Sequence, residues 1–329
     1  MPLFNRNILV LLLATLAAVA CSAFIGRHSI RLAEVFDPAA PGIFWQLRVP
    51  RVALAAVAGA GLALGGAVFQ IIFRNPLATP DTLGISSAAA FAASVGILTD
   101  IRSRWLGLPV VSELAIGGAL SAIAMIAWMA RGHAIRDRAY LLLVGVCVAS
   151  MSSAGIVLAT YLADATITNE IVRWLMGSLV TVELRHAGIV AAALLPTLAI
   201  CLLSHRGLDL LAFGDAVAAS RGVAAGPIVW SCLLAIGALT AIIVGFCGPI
   251  AFVGLIAPHI VRGLIGGRSL VTIVAATLFG AGFLPLCDAL ARVISDYELP
   301  VGVLTSIGGA MFFIWLLRRD SRLGVAARG

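Results

Sequence analysis

Arg51-Val-Ala-Leu-Ala-Ala-Val-Ala-Gly59-Ala-Gly61-Leu-Ala-Leu-Gly65-Gly66-Ala-Val-Phe-Gln70-Ile-Ile-Phe73 is a run with a single charge, placed at its first residue. About 20 consecutive apolar residues cross the ~30 Å hydrocarbon core of a bilayer as a helix, and this stretch is long enough. The run is continuous rather than alternating, and in lipid only a closed barrel satisfies the backbone of strands. It therefore reads as a membrane-spanning helix. Its glycines and alanines let neighbouring helices come close, and the Gly61-x-x-x-Gly65 spacing points to helix packing rather than to chemistry.

The rest of the chain agrees. Of 329 residues, 61% are hydrophobic and 11% charged, against about 25% charged in soluble domains. The mean hydropathy is +1.10. The formal net charge of +7 is scattered singly between apolar blocks, which argues against nucleic acid as a partner. All the basic side chains are arginine, and the chain has no lysine. A Walker-type phosphate loop needs its lysine on the nucleotide phosphates, so this chain cannot contain a standard one, and any energy from ATP would have to come from a partner. Cys21, Cys147, Cys201, Cys232, Cys247 and Cys287 lie in or beside apolar segments without CxxC spacing and read as small buried hydrophobes. Residues 1–20 followed by Cys21 weakly resemble a signal peptide with a lipoprotein-like end, but the apolar segments that follow favour a first span.

Span-length windows predict about ten helices, at 8–25, 51–73, 83–98, 109–130, 139–162, 186–205, 226–246, 250–265, 270–293 and 301–317. The fold class is thus all-α and integral to the membrane, a single transmembrane domain over residues 1–329. An even number of spans puts both termini on one side. With the termini inside, thirteen arginines face the cytoplasm and nine face out, and the clusters at 131–138 and 318–328 abut span ends, where the positive-inside rule is strongest. A loop at 26–50 lies outside, an amphipathic helix at 170–179 lies near the outer surface, and the segment 206–223 is cytoplasmic.

Five stretches then recur in order: Leu47-Arg-Val-Pro-Arg51; Phe73-Arg-Asn-Pro-Leu-Ala-Thr-Pro80 with Leu83-Gly-Ile-Ser-Ser87; Gly248-Pro-Ile-Ala-Phe-Val-Gly-Leu-Ile-Ala-Pro-His259-Ile-Val-Arg262; Asp288-Ala-Leu-Ala-Arg292; and Glu298-Leu-Pro-Val-Gly-Val-Leu-Thr305. Over nearly the whole chain this resembles the permease family of ferric siderophore, haem and cobalamin ABC importers, the type II importers. One departure is Ala88, where family members usually carry glycine soon after the Leu-Gly-Ile-Ser segment.

For Arg48, Arg51 and Arg292, at outer span ends, the residue types alone suggest interfacial anchoring. The resemblance implies instead that they meet carboxylates on the two lobes of a periplasmic or extracellular binding protein, steering encounter rather than supplying much affinity. Between the sixth and seventh spans, Leu208 and Leu211 belong to an apolar stripe, Gly214 breaks it, and a short helix follows. Asp215 stands in its first turn, Ala218 midway, Arg221 in its last turn and Gly222 at its stop. By itself this is a surface helix on the membrane; the resemblance implies a coupling helix that docks on the ATPase subunit.

Pro76 and Pro80 forbid a continuous helix from 73 to 87. A plain connection would suffice, whereas the resemblance makes Asn75, Pro76, Leu83, Ser86 and Ser87 candidates for a gate. Ser150, Ser152, Ser153 and Thr305 are candidates to line the path, although hydroxyls in membrane helices often bond their own backbone. His259 has no second ligand at helical spacing, so no metal site is expected. Asp288 and Arg292 form an i, i+4 charge pair.

The resemblance therefore implies the permease subunit of a binding-protein-dependent importer in the bacterial inner membrane. It would move an iron chelate (ferric siderophore or haem) or cobalamin as a homodimer on two ATPase subunits, with both termini cytoplasmic. The chain itself carries no catalytic site and binds no cofactor, and ATP and Mg belong to the partner. The alternative is a secondary, ion-coupled transporter, which normally carries ionisable groups deep in its spans; the span centres here have none. A membrane enzyme would need an acid–base, metal or nucleophile cluster, and none is evident.

Overall fold

A computed structural model of the chain describes residues 2–26, 44–101, 104–105, 108–130, 138–180, 183–266, 268–294 and 298–326. Most of the expected loop at 26–50, together with Arg131, Arg136 and Arg328, lies outside the described residues. The helices in chain order are α1 (Pro2–Phe24), α2 (Val49–Phe73), α3 (Ile85–Leu98), α4 (Val110–Met129), α5 (Arg138–Leu162) and α6 (Ala165–Leu175). Then come α7 (Leu184–Leu203), α8 (His205–Ala212), α9 (Asp215–Ser220), α10 (Ala225–Cys247), α11 (Val253–Ile265), α12 (Ser269–Ile294) and α13 (Val301–Ala326). A π-helical turn, Phe44–Arg48, leads into α2, and a 3₁₀ turn, Pro80–Leu83, leads into α3. Two-residue strands β1 (Arg104–Trp105) and β2 (Leu108–Pro109) pair antiparallel.

Among the described residues, seven helical segments are long and apolar enough to cross a membrane: Arg6–Phe24, Phe44–Phe73, Val110–Met129, Arg138–Leu162, Leu184–Leu203, Ala225–Cys247 and Ser269–Ile294. Three expected spans fall on shorter apolar helices, Ile85–Leu98, Val253–Ile265 and Val301–Leu316. At 1.5 Å per residue, α3 and α11 are each only about 20 Å long, short of a ~30 Å hydrocarbon core.

The centre of the assembly is α2, enclosed by α7, α10, α11 and α12. What lets four helices crowd one is the absence of side chains at the crossings. A Cβ on Gly59 would lie 2.2 Å from the carbonyl oxygen of Gly280 on α12, and the reciprocal distance is also 2.2 Å. On Gly66 it would lie 1.8 Å from the carbonyl oxygen of Gly254 on α11. Gly61 and Gly65 face α10 instead, against Ile243 and Ile236. In lipid this van der Waals contact is the main attraction between helices. An interhelical hydrogen bond such as Thr15 Oγ1 to the Leu278 carbonyl, 3.0 Å, adds only about 0.6 kcal/mol.

Towards the periphery, α3 packs on α4 and α5. Leu141, Val144, Gly145, Val148 and Ser152 form the inward stripe of α5, at helical spacing, while Leu143, Val146, Met151, Val157 and Leu158 lie open. Four cysteines are buried, whereas Cys21 and Cys147 are exposed on open helix faces, contrary to their expected burial.

Candidate docking and coupling sites

Both candidate sites lie at the ends of α2. At its start, Arg48 donates Nη1 to the carbonyls of Ala23 (3.2 Å) and Phe24 (2.8 Å), and Arg292 donates Nη2 to the Ser22 carbonyl (2.8 Å). These are the last carbonyls of α1, which have no partner within their own helix, and positive charge suits that end of a helix. Arg51 grips Asp288 on α12 through Nε (3.1 Å to Oδ1, 3.0 Å to Oδ2) and Nη2 (2.9 Å to Oδ1). Its Nη1 reaches Glu298 Oε2 at 3.0 Å. Arg292 Nε completes the group at 3.3 Å from Asp288 Oδ2, which is the i, i+4 pair read from the sequence.

The three arginines thus do meet, but not as an open rim. Arg48, Arg51 and Arg292 are 7%, 9% and 6% exposed, and Asp288 is fully buried. The exposed placement expected from sequence is corrected here. The first turn of α2 packs against α12 and the end of α1, so the guanidinium groups turn inward to serve carboxylate and carbonyl oxygens that would otherwise be buried unpaired. Glu298 is the accessible edge of the network, its side chain 43% exposed.

At the other end of α2 the connection to α3 is a series of local turns. Asn75 Oδ1 accepts the N–H of Leu77 at 2.9 Å, Pro80 starts the 3₁₀ turn, and buried Leu83 seats against Gly145 of α5. Pro76 follows Asn75 in the same turn, and Ser87 is half-buried. Ser86 donates its hydroxyl to the Asp81 carboxylate. Burial pushes the Asp81 carboxyl above the usual range, and the Ser86 hydroxyl pulls it partly back. A carboxyl raised on folding holds its proton better folded than unfolded. Its contribution to stability is therefore complete below the unfolded pKa and is lost as pH rises through the folded one. Asp81→Asn should accordingly flatten the fall in unfolding midpoint between acidic and neutral pH, relative to the wild type. Parallel pH profiles of the two proteins would refute it.

The segment expected to couple is formed by α8 and α9, with Gly214 between them at φ +121 and Gly222 after them at φ +73. Asp215 opens α9 as read from the sequence, but Arg221 lies just past its end rather than in its last turn. Leu208, Leu211 and Ala218 are fully buried against the membrane helices, so these three cannot offer themselves to a partner. The outward face is made of Phe213, 79% exposed, and Val217, with Arg221 and Gly222 at the margin. Sequence reasoning missed Phe213 and Val217, although an aromatic residue just off the buried stripe was a visible signal. It also missed the internal ties. Arg138 donates to Asp215 Oδ1 and to the Ile72 carbonyl. Asp209 Oδ1 accepts the N–H of Ser269 at 2.8 Å, and Arg262 donates to Gln70, which in turn reaches the Gly254 carbonyl at 3.3 Å.

The path candidates separate. Ser150 and Ser153 lie on the open face of α5. Ser152 is buried within the helix packing, and Thr305 is buried with its hydroxyl on the Gly302 carbonyl at 3.1 Å, so neither lines an open path in this chain. His259 lies among aromatic rings, 5.9 Å from Phe312 and 6.2 Å from Phe313. The amphipathic helix expected at 170–179 is α6 (Ala165–Leu175), started earlier by Asp164, whose Oδ1 accepts the N–H groups of Thr166 (2.8 Å) and Ile167 (2.9 Å).

The chain as a whole resembles known proteins. The chain is 35% identical over 321 residues to the vitamin B12 import system permease protein of Yersinia enterocolitica, covering 96% of this chain and 92% of that protein. It is 39% identical over 281 residues to the Fe(3+) dicitrate transport system permease protein of Escherichia coli K12, covering 84% and 85%. A metal-chelate type ABC transporter solved in an inward-facing conformation superposes with a TM-score of 0.86 at 30% identity, covering 96% of this chain and 99% of that one. The match of residues 11–319 to the family's sequence pattern agrees with both, and this chain belongs to the FecCD transport family.

Proposed function

We propose that this protein is the membrane permease of a binding-protein-dependent ABC importer carrying an iron chelate (ferric siderophore or haem) or cobalamin. The observation that carries this reading is the match to the FecCD transport family over residues 11–319, with relatives named for vitamin B12 and ferric dicitrate. In this reading the ten apolar helices all cross the inner membrane and both termini are cytoplasmic, so the Arg51 end of α2 faces out and the Asp215 end faces in. The chain is one permease domain with its coupling segment at 206–223. A second copy completes the path along the open faces of α5 and α13, where Ser150 and Ser153 stand among apolar side chains. Two ATPase subunits hold ATP and Mg beneath, consistent with a chain that lacks lysine.

The test is uptake into proteoliposomes holding this chain, its ATPase and its binding protein, with cyanocobalamin and ferric chelates as probes. Uptake should require ATP on the ATPase side. Uptake that continues without ATP and follows an ion gradient would instead establish a secondary transporter.

Docking of the binding protein at Arg48, Arg51 and Arg292 has a specific form in this geometry. Arg51 already holds Glu298, so an incoming carboxylate must exchange with Glu298 to reach it. Glu298→Gln removes that competitor and leaves the Asp288 pair whole. Association with the binding protein should become several-fold faster at low salt, with the difference shrinking as ionic strength rises. Stopped-flow rates unchanged from wild type across the salt series would count against docking at Arg51.

A further inference from the structure

We propose that Arg138 is a positioning residue that fixes the coupling helix α9 to the inner end of α2, so that displacement of α9 is passed to the helix reaching across to the arginine cluster. This rests on the reading of α9 as the ATPase contact.

The geometry is that of a three-way joint. Arg138 is the first residue of α5, and its side chain is 5% exposed. One guanidinium nitrogen, Nη2, donates to Asp215 Oδ1, in the first turn of α9. The other, Nη1, donates to the carbonyl of Ile72, in the last turn of α2, where carbonyls lack partners within the helix. A single planar group therefore touches the end of α2, the start of α5 and the start of α9.

Helix α9 needs such an anchor. With six residues it is far too short to persist alone, and its position must come from contacts with the body. Ala218 supplies an apolar contact, and Asp215 supplies a directional one. The neighbouring carboxylate, Asp209, is committed elsewhere, to the N–H of Ser269 at the start of α12. Arg74 lies alongside, with its Nη1 3.4 Å from where a side chain at Gly214 would begin, so the approach to α9 from the α2 side is already occupied.

Arginine suits the joint because its donors are held in a rigid fork and can engage two acceptors in fixed directions; a lysine ammonium at the same place is a point donor on a flexible stem. A charge-assisted bond whose arginine is buried and whose carboxylate is only partly exposed is also strong enough to hold α9 against thermal drift. The joint has a mechanical consequence, since α2 runs unbroken from Arg138's acceptor at Ile72 back to Arg51. A push on α9 thus has a stiff route to the far end of the molecule.

The test uses the full complex of permease, ATPase and binding protein in proteoliposomes, reading how far the binding protein stimulates ATP hydrolysis. Arg138→Gln and Asp215→Asn should each reduce that stimulation roughly ten-fold, the scale of one lost charged hydrogen bond. The ATPase should still co-purify. Arg138→Lys should fall between, and the double variant should be no worse than the poorer single, because both changes cut the same link. Stimulation at wild-type level in Asp215→Asn, or effects that multiply in the double variant, would overturn the proposal. Asp215→Asn decides the matter even if Arg138→Gln does not fold, since it is nearly isosteric and sits at a partly exposed position. Val217→Glu, on the outward face of α9, separates the two readings: it should abolish ATPase co-purification. If it does not, α9 is not the ATPase contact and the proposal falls with that reading. If co-purification is lost while Asp215→Asn behaves as wild type, only the role of Arg138 falls.

Discussion

Asp288→Ala is expected to destabilise the protein by about 3–5 kcal/mol, the range found when one partner of a buried ion pair is removed. The wild-type carboxylate is fully buried and bonded by both Arg51 and Arg292. Without it, two buried guanidinium groups keep only part of their partners. Arg51 retains Glu298, and Arg292 retains the Ser22 carbonyl and the backbone oxygen of residue 288. Because the cost comes from stranded positive charge rather than from lost volume, Asp288→Asn should also be damaging although it fills the same space. Unfolding midpoints in detergent, wild type against both variants, would measure this. An alanine variant as stable as the wild type would mean that water reaches the arginines freely.

Gly66→Ala should be comparably harmful for the opposite reason, too many atoms rather than too few charges. The new methyl would lie 1.8 Å from the Gly254 oxygen and 2.4 Å from its carbonyl carbon, and both are backbone. No side chain can rotate away, so α2 and α11 must move apart, and the Gln70 link to Gly254 and Arg262, one turn further along, must follow. Overpacking in a close-packed core typically costs 1–3 kcal/mol, and a rigid obstacle places this case at or above the top of that range. Gly117→Ala is the control. Nothing lies within 4 Å of its added Cβ, so alanine there should be neutral or gain up to about 1 kcal/mol from helix propensity. Gly66→Ala should therefore lower the unfolding midpoint while Gly117→Ala leaves it unchanged or raises it. Equal midpoints would show that the helices are not in backbone contact at Gly66.

What the sequence disclosed, and what it concealed, follows from the range of each interaction. Apolar runs are local, so the stretches from 51–73 to 270–293 read as helices without knowledge of their neighbours. Helix length is local too, yet whether α3 and α11 cross the bilayer depends on how their neighbours hold them. The Gly61-x-x-x-Gly65 spacing marked a packing face correctly, but the tightest crossings use Gly59 and Gly66, which flank it. Spacing identifies a small-residue helix and cannot tell which of its faces meets backbone. The Asp164 cap of α6 was legible in principle, as an acidic residue whose carboxylate reaches the next turn. The orientation of Ala218 was not, because a six-residue helix is too short to display a period. Least legible were Arg51 with Asp288 and Arg138 with Asp215, since each pair joins distant parts of the chain.

The distance between Arg51 and Asp288, 237 residues, has a consequence for how the protein is made. Ribosomes add about 5–20 residues per second, so α2 enters the membrane roughly 10–50 seconds before the segment that carries its counter-ion. For most of that interval the helix that ends up most enclosed has neither α11 nor α12 beside it, and the Gly59 and Gly66 positions that meet them are uncovered. Its arginine can then be satisfied only at the headgroup layer, by water and lipid phosphate. Docking of α11 and α12 onto α2, and with it the closing of the Arg51–Asp288 pair, is therefore expected to come late in the making of the protein.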